Sequence, residues 1–306
     1  MRWRTIVPRT PDSGTVIAYL TVAVSKPLSW FRQQSRLTQF AAVYLLLFTI
    51  AGLIGPELTP YDYSTQHFNQ DGTLRAMEPP SAQHLMGTTD RGEDVFSRLL
   101  YGARPTLVTA ALGGTIIISI GLTIGITAGF TGGYTDKGLM RLTDVFYGVP
   151  LIPAAIVLAA FFGTGFLSSI VVIGLILWRA SARVIRSQVL QIKERPFIKI
   201  AQSSGASRFH IARNHILPNV APMAILFFAL GVGDAVIVQA GLAFVGVSDP
   251  FVPSYGVMVR NAYNAGALGE AVWWSIPPGV LIALTVLSAY LIGRSIEPDN
   301  SDRAFA

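Results

Sequence analysis

The chain has 306 residues, of which 51% are apolar types and only 13% are charged, and its mean hydropathy is +0.50. Soluble domains carry about a quarter of their residues as charges, so this composition cannot cover a globule of such size and points to an integral membrane protein. The formal net charge of +6 could by itself suggest nucleic acid; Lys and Arg cluster beside hydrophobic stretches rather than in one basic domain, which fits the positive-inside rule and no nucleic-acid role. With no cysteine, disulfides, thiolate catalysis and cysteine-zinc sites are excluded.

Six stretches approach the roughly 20 apolar residues that a spanning helix needs: 37–54, 106–130, 139–161, 168–189, 220–245 and 275–294. They predict an all-α, polytopic fold with six transmembrane helices, and no internal repeat suggests the inverted halves of many secondary transporters. The leading 36 residues hold Arg2, Arg4, Arg9, Lys26, Arg32 and Arg36, too long and polar a lead for a cleaved signal. The expected organisation is a cytoplasmic tail over 1–36, a first span with an outward loop over 37–105, a transmembrane core over 106–294, and a cytoplasmic end over 295–306. Placing both termini in the cytoplasm puts the connections 55–105 and 246–274 outside, where Arg75, Arg91, Arg98, Arg104 and Arg260 are the only cations. Trp30 suits an inner aromatic belt, and Trp273 and Trp274 an outer one.

In the second span Gly121, Gly125 and Gly129 recur at helical spacing behind Gly113 and Gly114, a stripe that lets helix backbones approach closely. Around the third span Asp136, Arg141 and Asp144 suggest a boundary ion pair, with Arg141 and Asp144 one turn apart, and Pro150 and Pro153 predict kinks. The fifth span carries Asp234, either a pathway group that meets an ammonium or a carboxylate paired inside the bundle. Gln239 could offer hydrogen bonds to a solute or pack between helices. In the outward loop His84, Asp90, Glu93 and Asp94 have the residue types of a metal site, but their spacing matches no ligand pattern, and no metal site is expected. His210 and His215, five residues apart, are not expected on one helix face.

Between the fourth and fifth spans lies a polar and basic interruption, Lys199 to Asn219, KIAQSSGASRFHIARNHILPN. Pro196 can open a helix with Phe197, Ile200 and Ala201 on one face; Gly205 supplies a turn; Ser207 caps a second short helix whose apolar side is Phe209, Ala212 and Ile216. Such a segment either lies on the membrane surface or docks a partner.

The residues of this interruption resemble the cytoplasmic "EAA" loop of ABC importer permeases, which is Glu-Ala-Ala, three residues, Gly, nine residues, then Ile, any residue, Leu and Pro. Ala201, Gly205, Leu217 and Pro218 match it; Lys199 stands at the Glu position, Ile200 at the first Ala and His215 at the Ile. Three further stretches, from His84 to Arg104, Gly129 to Pro150 and Gln239 to Val259, are similar to the second-permease, or "C", subunit of dipeptide and oligopeptide importers. The resemblance covers most of the chain after about residue 80. It implies a permease subunit of an ABC importer that forms the path for a small solute, with short peptides favoured. It also implies coupling through a loop over 193–218, with Lys199, Ala201, Gly205, Ser207, Ile211, His215, Leu217 and Pro218 as coupling positions. The implied partners are a homologous permease, two ATPase subunits that bind ATP and magnesium, an extracytoplasmic solute-binding protein and the lipid bilayer.

The chain has no Walker A pattern, no Gly-x-Ser-x-Gly and no His-Glu-x-x-His, so neither its own ATPase site nor a catalytic constellation is expected. The alternative from another class is an ion-coupled transporter that relays charge through Asp234.

Overall fold

The computed structural model describes residues 31–163 and 165–296, so the tail expected over 1–36, with Trp30, and the end expected over 295–306 lie almost wholly outside the described residues. Helix α1, Arg36–Ile54, is opened by Ser35, whose hydroxyl accepts the Thr38 N–H at 3.2 Å. A 3-10 turn, Gly55–Leu58, leads into a polar cap over 59–94 that holds three isolated β-bridges and no helix. Asp94 then caps the longest element, α2, Val95–Thr131, by accepting the Ser97 N–H at 2.7 Å. Four shorter helices follow: α3, Gly133–Gly148; α4, Leu151–Phe162; α5, Phe166–Leu177; and α6, Arg179–Lys193. The interruption folds as α7, Pro196–Ser203, and α8, Arg208–Ile211, then passes through a π-helical turn, Ala212–Ile216, into α9, Leu217–Val245. Helices α10, Tyr255–Asn264, α11, Ala267–Glu270, and α12, Val272–Ile296, complete the described chain.

Four helical stretches are long and apolar enough to cross a bilayer, and two bent pairs, α3 with α4 and α5 with α6, raise the number to six if each pair is one span. The third span differs from the smooth, kinked helix expected over 139–161, because α3 and α4 meet at 100°. Pro150 lacks an N–H and pushes Val149 into an extended conformation, φ −92 and ψ 124, which ends α3 outright. The fourth span bends by 40° at Trp178, where an apolar run gives way to the amphipathic, arginine-bearing α6.

The connection 246–274 is not the open loop that hydropathy implies. Ser254 accepts the Val257 N–H and starts α10, which buries Tyr255, Val257, Met258 and Ala262 against α2, α9 and α12. Trp274, expected in an aromatic belt, is buried in the same cluster with Phe48, Val95 and Leu99.

Helix α2 is the axis of the packing, and its small residues explain why. Gly113 and Gly114 lie against Ala235 and Val232 of α9, while Gly125 and Gly129 lie against Ala182, Ile185 and Val189 of α6. A Cβ at Gly125 would stand 2.7 Å from the Ala182 carbonyl oxygen, closer than any side chain tolerates. Backbone contact of this kind is a main source of helix association in lipid.

Candidate functional site

The segment over 193–218 is built from local chemistry that the sequence spells out. Pro196 opens α7 at its first turn, and the helix ends in a Schellman arrangement: the Ala206 N–H donates to the Ala201 carbonyl at 3.1 Å and the Gly205 N–H to that of Gln202 at 3.0 Å. Gly205 holds φ +80, a left-handed conformation that glycine adopts at no steric cost, and the space beside its Cα is open. Ser207 caps α8 by accepting the His210 N–H at 3.2 Å. The π turn has its cause in Pro218, whose missing N–H cannot bond the Asn214 carbonyl and whose ring crowds it. Its extra residue per turn overturns the expectation for His210 and His215, whose rings lie together with centroids 5.9 Å apart.

The buried face of the segment differs from the one expected. Ile198, Ile211 and Ile216 pack with Ile185 and Val189 of α6 and Val220 of α9, and Ala201 and Ala206 close the cluster. Phe197, Ile200 and Phe209 point away and are 42%, 66% and 74% exposed. The sequence pattern misassigned them because the real inward stripe runs through Ile198, one position from both Phe197 and the predicted face. A groove of about 580 Å³ beside α7 is lined by Gln188, Gln191, Arg195, Phe197 and Ile200. Lys199 reaches Glu194 at 3.2 Å, an exposed pair.

Ion pairs tie α3 to α6 beside this segment. Asp136 accepts both Nε and Nη2 of Arg186, at 2.5 and 2.6 Å, and Asp144 accepts Arg183 Nη2 at 2.8 Å. The Arg141–Asp144 pair expected within one helix is replaced by these contacts between helices, because the bend at Pro150 lays α3 along α6. Arg183 and Arg179 also stack over Tyr147, 4.3 and 5.0 Å from its ring centre.

At the other end of α2 the cap closes on itself. His84 Nδ1 lies 2.9 Å from Asp94, Glu93 pairs with Arg98, and Arg98 also donates to the Tyr63 carbonyl at 3.2 Å. All four of those ionisable side chains are buried. His84, Glu93 and Asp94, which have metal-ligand chemistry, are thus spent on structure, while Asp90 lines a small polar pocket with Arg91, Asn261 and Asn264.

Within the spans, Asp234 Oδ1 accepts the Tyr290 hydroxyl of α12 at 2.5 Å. Gln239 is only 1% exposed and its amide donates to Ser254 at 3.2 Å and Ser248 at 3.4 Å. Tyr290 and the arginines of α6 escaped the sequence reading, since only the fold brings them to Asp234, Asp136 and Asp144.

Comparison with known proteins is consistent along most of the chain. Residues 121–302 match the family described as the binding-protein-dependent transport system inner membrane component. The chain is 33% identical over 273 residues to the dipeptide transport system permease protein DppC of Bacillus subtilis (strain 168), covering 88% of this chain and 83% of that protein. It is also 33% identical over 267 residues to the glutathione transport system permease protein GsiD of Escherichia coli O6:K15:H31, covering 87% and 86%. A chain of the MetNI methionine ABC transporter in an inward-facing conformation shares the fold, with a TM-score of 0.54 and 20% identity over 65% of this chain and 96% of that one. Apolar helices packed around a glycine-striped axis, a polar helix-turn-helix between two of them and these matches lead to one conclusion: the chain belongs to the binding-protein-dependent transport system inner membrane component family, the membrane-spanning permeases of ABC importers.

Proposed function

We propose that this permease carries short peptides, and that its 193–218 segment is the dock through which an ATPase drives it. The observation that carries the docking reading is the two-sidedness of the segment. Ile198, Ile211 and Ile216 fasten it to α6 and α9, while Phe197, Ile200 and Phe209 leave an apolar surface uncovered. Exposed aromatic and aliphatic anchors over an apolar base are what a partner groove takes up. Peptides are the substrate class named for both permeases above, one for dipeptides and one for the tripeptide glutathione.

In this reading both termini and the 193–218 segment face the cytoplasm, and the 59–94 cap faces outward, as the charge distribution favours. The chain pairs with a homologous permease, takes solute from an extracytoplasmic binding protein and works with two ATPase subunits. ATP and magnesium belong to those subunits; this sequence has no Walker A pattern. Closure of the ATPase pair pushes Pro196 to Pro218 and tilts the spans between inward-open and outward-open states. The ion-coupled alternative gains no support from the family.

The test is co-purification. Phe209→Asp leaves the fold intact because the side chain is exposed, yet ATPase retention should fall about tenfold or more, since an interface anchor is worth about 2 kcal/mol. Gly205→Val should weaken retention as well, whereas Gly205→Asn, which tolerates the left-handed conformation, should do so less. Full retention by Phe209→Asp would end the docking reading.

A further inference from the structure

The Asp234–Tyr290 pair sits at a partly uncovered face of the spans. The Tyr290 hydroxyl occupies Oδ1 at 2.5 Å, and among the described residues Oδ2 has no hydrogen-bond partner and no cation within ion-pair distance. Asp234 is half-buried, Tyr290 is 38% exposed, and Ile237, one turn from Asp234 on α9, is 51% exposed, so the carboxyl stands at the edge of the chain's core. A carboxylate facing hydrocarbon costs several kcal/mol, so a face of this kind is stable only where it meets water or a positive group. Tyrosine fits such a place: it supplies one donor, no charge, and a ring that packs against the apolar surroundings.

We infer that Asp234, held by Tyr290, is a station on the solute path that takes a cationic group, an ammonium such as the free amino terminus of a peptide, through its unpartnered oxygen. Asp234 is the binding group, and Tyr290 is a positioning residue that fixes one carboxyl oxygen and leaves the other free. The inference rests on the proposal that this chain forms the path for such a solute, and it adds the residue pair and the charge that the pair selects. An ammonium meets a full opposite charge at low effective dielectric there, while a carboxylate is repelled.

The chain has no cysteine, so a single introduced thiol reports on this face without background from the chain itself. Ile237→Cys places that thiol about 5–6 Å from Asp234, one helical turn away. In the assembled transporter in lipid nanodiscs, its reaction rates with a trimethylammonium-bearing and a sulfonate-bearing methanethiosulfonate are each divided by the rate on a small free thiol. The cationic reagent should then be favoured about tenfold or more. Adding Asp234→Asn should abolish the preference, Asp234→Glu should retain most of it, and Tyr290→Phe should reduce it severalfold.

Failure of both reagents to label, which places lipid or a partner subunit on this face, overturns the inference. So does a preference that Asp234→Asn leaves unchanged, and an unchanged preference in Tyr290→Phe removes the positioning role. Peptide uptake is measured separately. Labelling as expected without peptide uptake refutes the peptide reading alone, and uptake with an unreactive reporter refutes this inference alone.

Discussion

The cap over 59–94 and the segment over 193–218 are both polar excursions from an apolar bundle, and they are held to it by opposite means. The cap is locked by directional bonds among buried ionisable groups, His84 with Asp94 and Glu93 with Arg98, gathered around the first turn of α2. The segment is seated on aliphatic side chains, Ile198, Ile211 and Ile216, and its outer surface is left unfilled. Charge pairs in a buried place fix one geometry, because any displacement strands a charge. Apolar contacts are not directional, so they hold a segment firmly while still allowing it to be pressed and shifted as a body. One excursion is closed on itself; the other leaves an apolar surface uncovered.

The contrast can be broken most severely at the cap. Arg98→Met leaves the buried Glu93 carboxylate without its partner and should destabilise the protein by about 3–5 kcal/mol, while Arg98→Met with Glu93→Leu should recover much of that. Thermal unfolding in nanodiscs measures both, and an undisturbed single variant would show that the cap is not held by charge. At the other end, Ile211→Ala should cost about 2–4 kcal/mol through a cavity and should also lower transport-coupled ATPase activity. If that variant loses stability but couples normally, the aliphatic seat is a fastening and not a transmission.

The smallest effect sharpens the same comparison through pH. Burial first, and the neighbouring His84 second, hold His67 below the usual histidine range, against the opposing pull of Asp94 and with Arg75 adding to the depression. The unfolded cap therefore binds a proton at a pH where the folded cap does not, so folding stability is complete above about pH 6.5 and declines as pH falls from there toward the depressed value. Amide exchange across the cap, corrected for intrinsic rates, should be modestly faster at about pH 5.5 than at about pH 7.5, and His67→Phe should flatten the difference. The 193–218 segment should show no such change.

Much of this was legible before any coordinates. Hydropathy located the four long spans and the two bent helix pairs, and Gly205, Ser207 and Pro196 announced the turn, the cap and the start of the 193–218 segment, because each acts through its own backbone within a few residues. The failures share a cause as well. Whether Ile198 or Phe197 faces inward, whether Asp144 meets Arg141 or Arg183, and whether Trp274 joins a belt or a core are settled by neighbours far along the chain. The 100° turn at Pro150 was read only as a kink, since an averaging window across 139–161 sees two apolar runs and not the extended residue between them. Tyr255–Asn264 is too short and too mixed to raise any hydropathy signal, although its serine cap stood in the sequence.

Helix α2 runs unbroken for 37 residues, about 55 Å of rise, against a hydrocarbon layer of about 30 Å. Its two ends are therefore outside the lipid, one clamped in the cap by Asp94 and the other gripped where Lys193 donates to the Phe130 carbonyl at 3.0 Å. A rod of that length swinging by about 10° around its midpoint carries each tip through about 5 Å, in opposite directions. Were α2 to pivot in this way, a push received where α6 meets it would reach the cap at the opposite tip with its sense reversed, with no contact needed between the cap and the place where the force was applied.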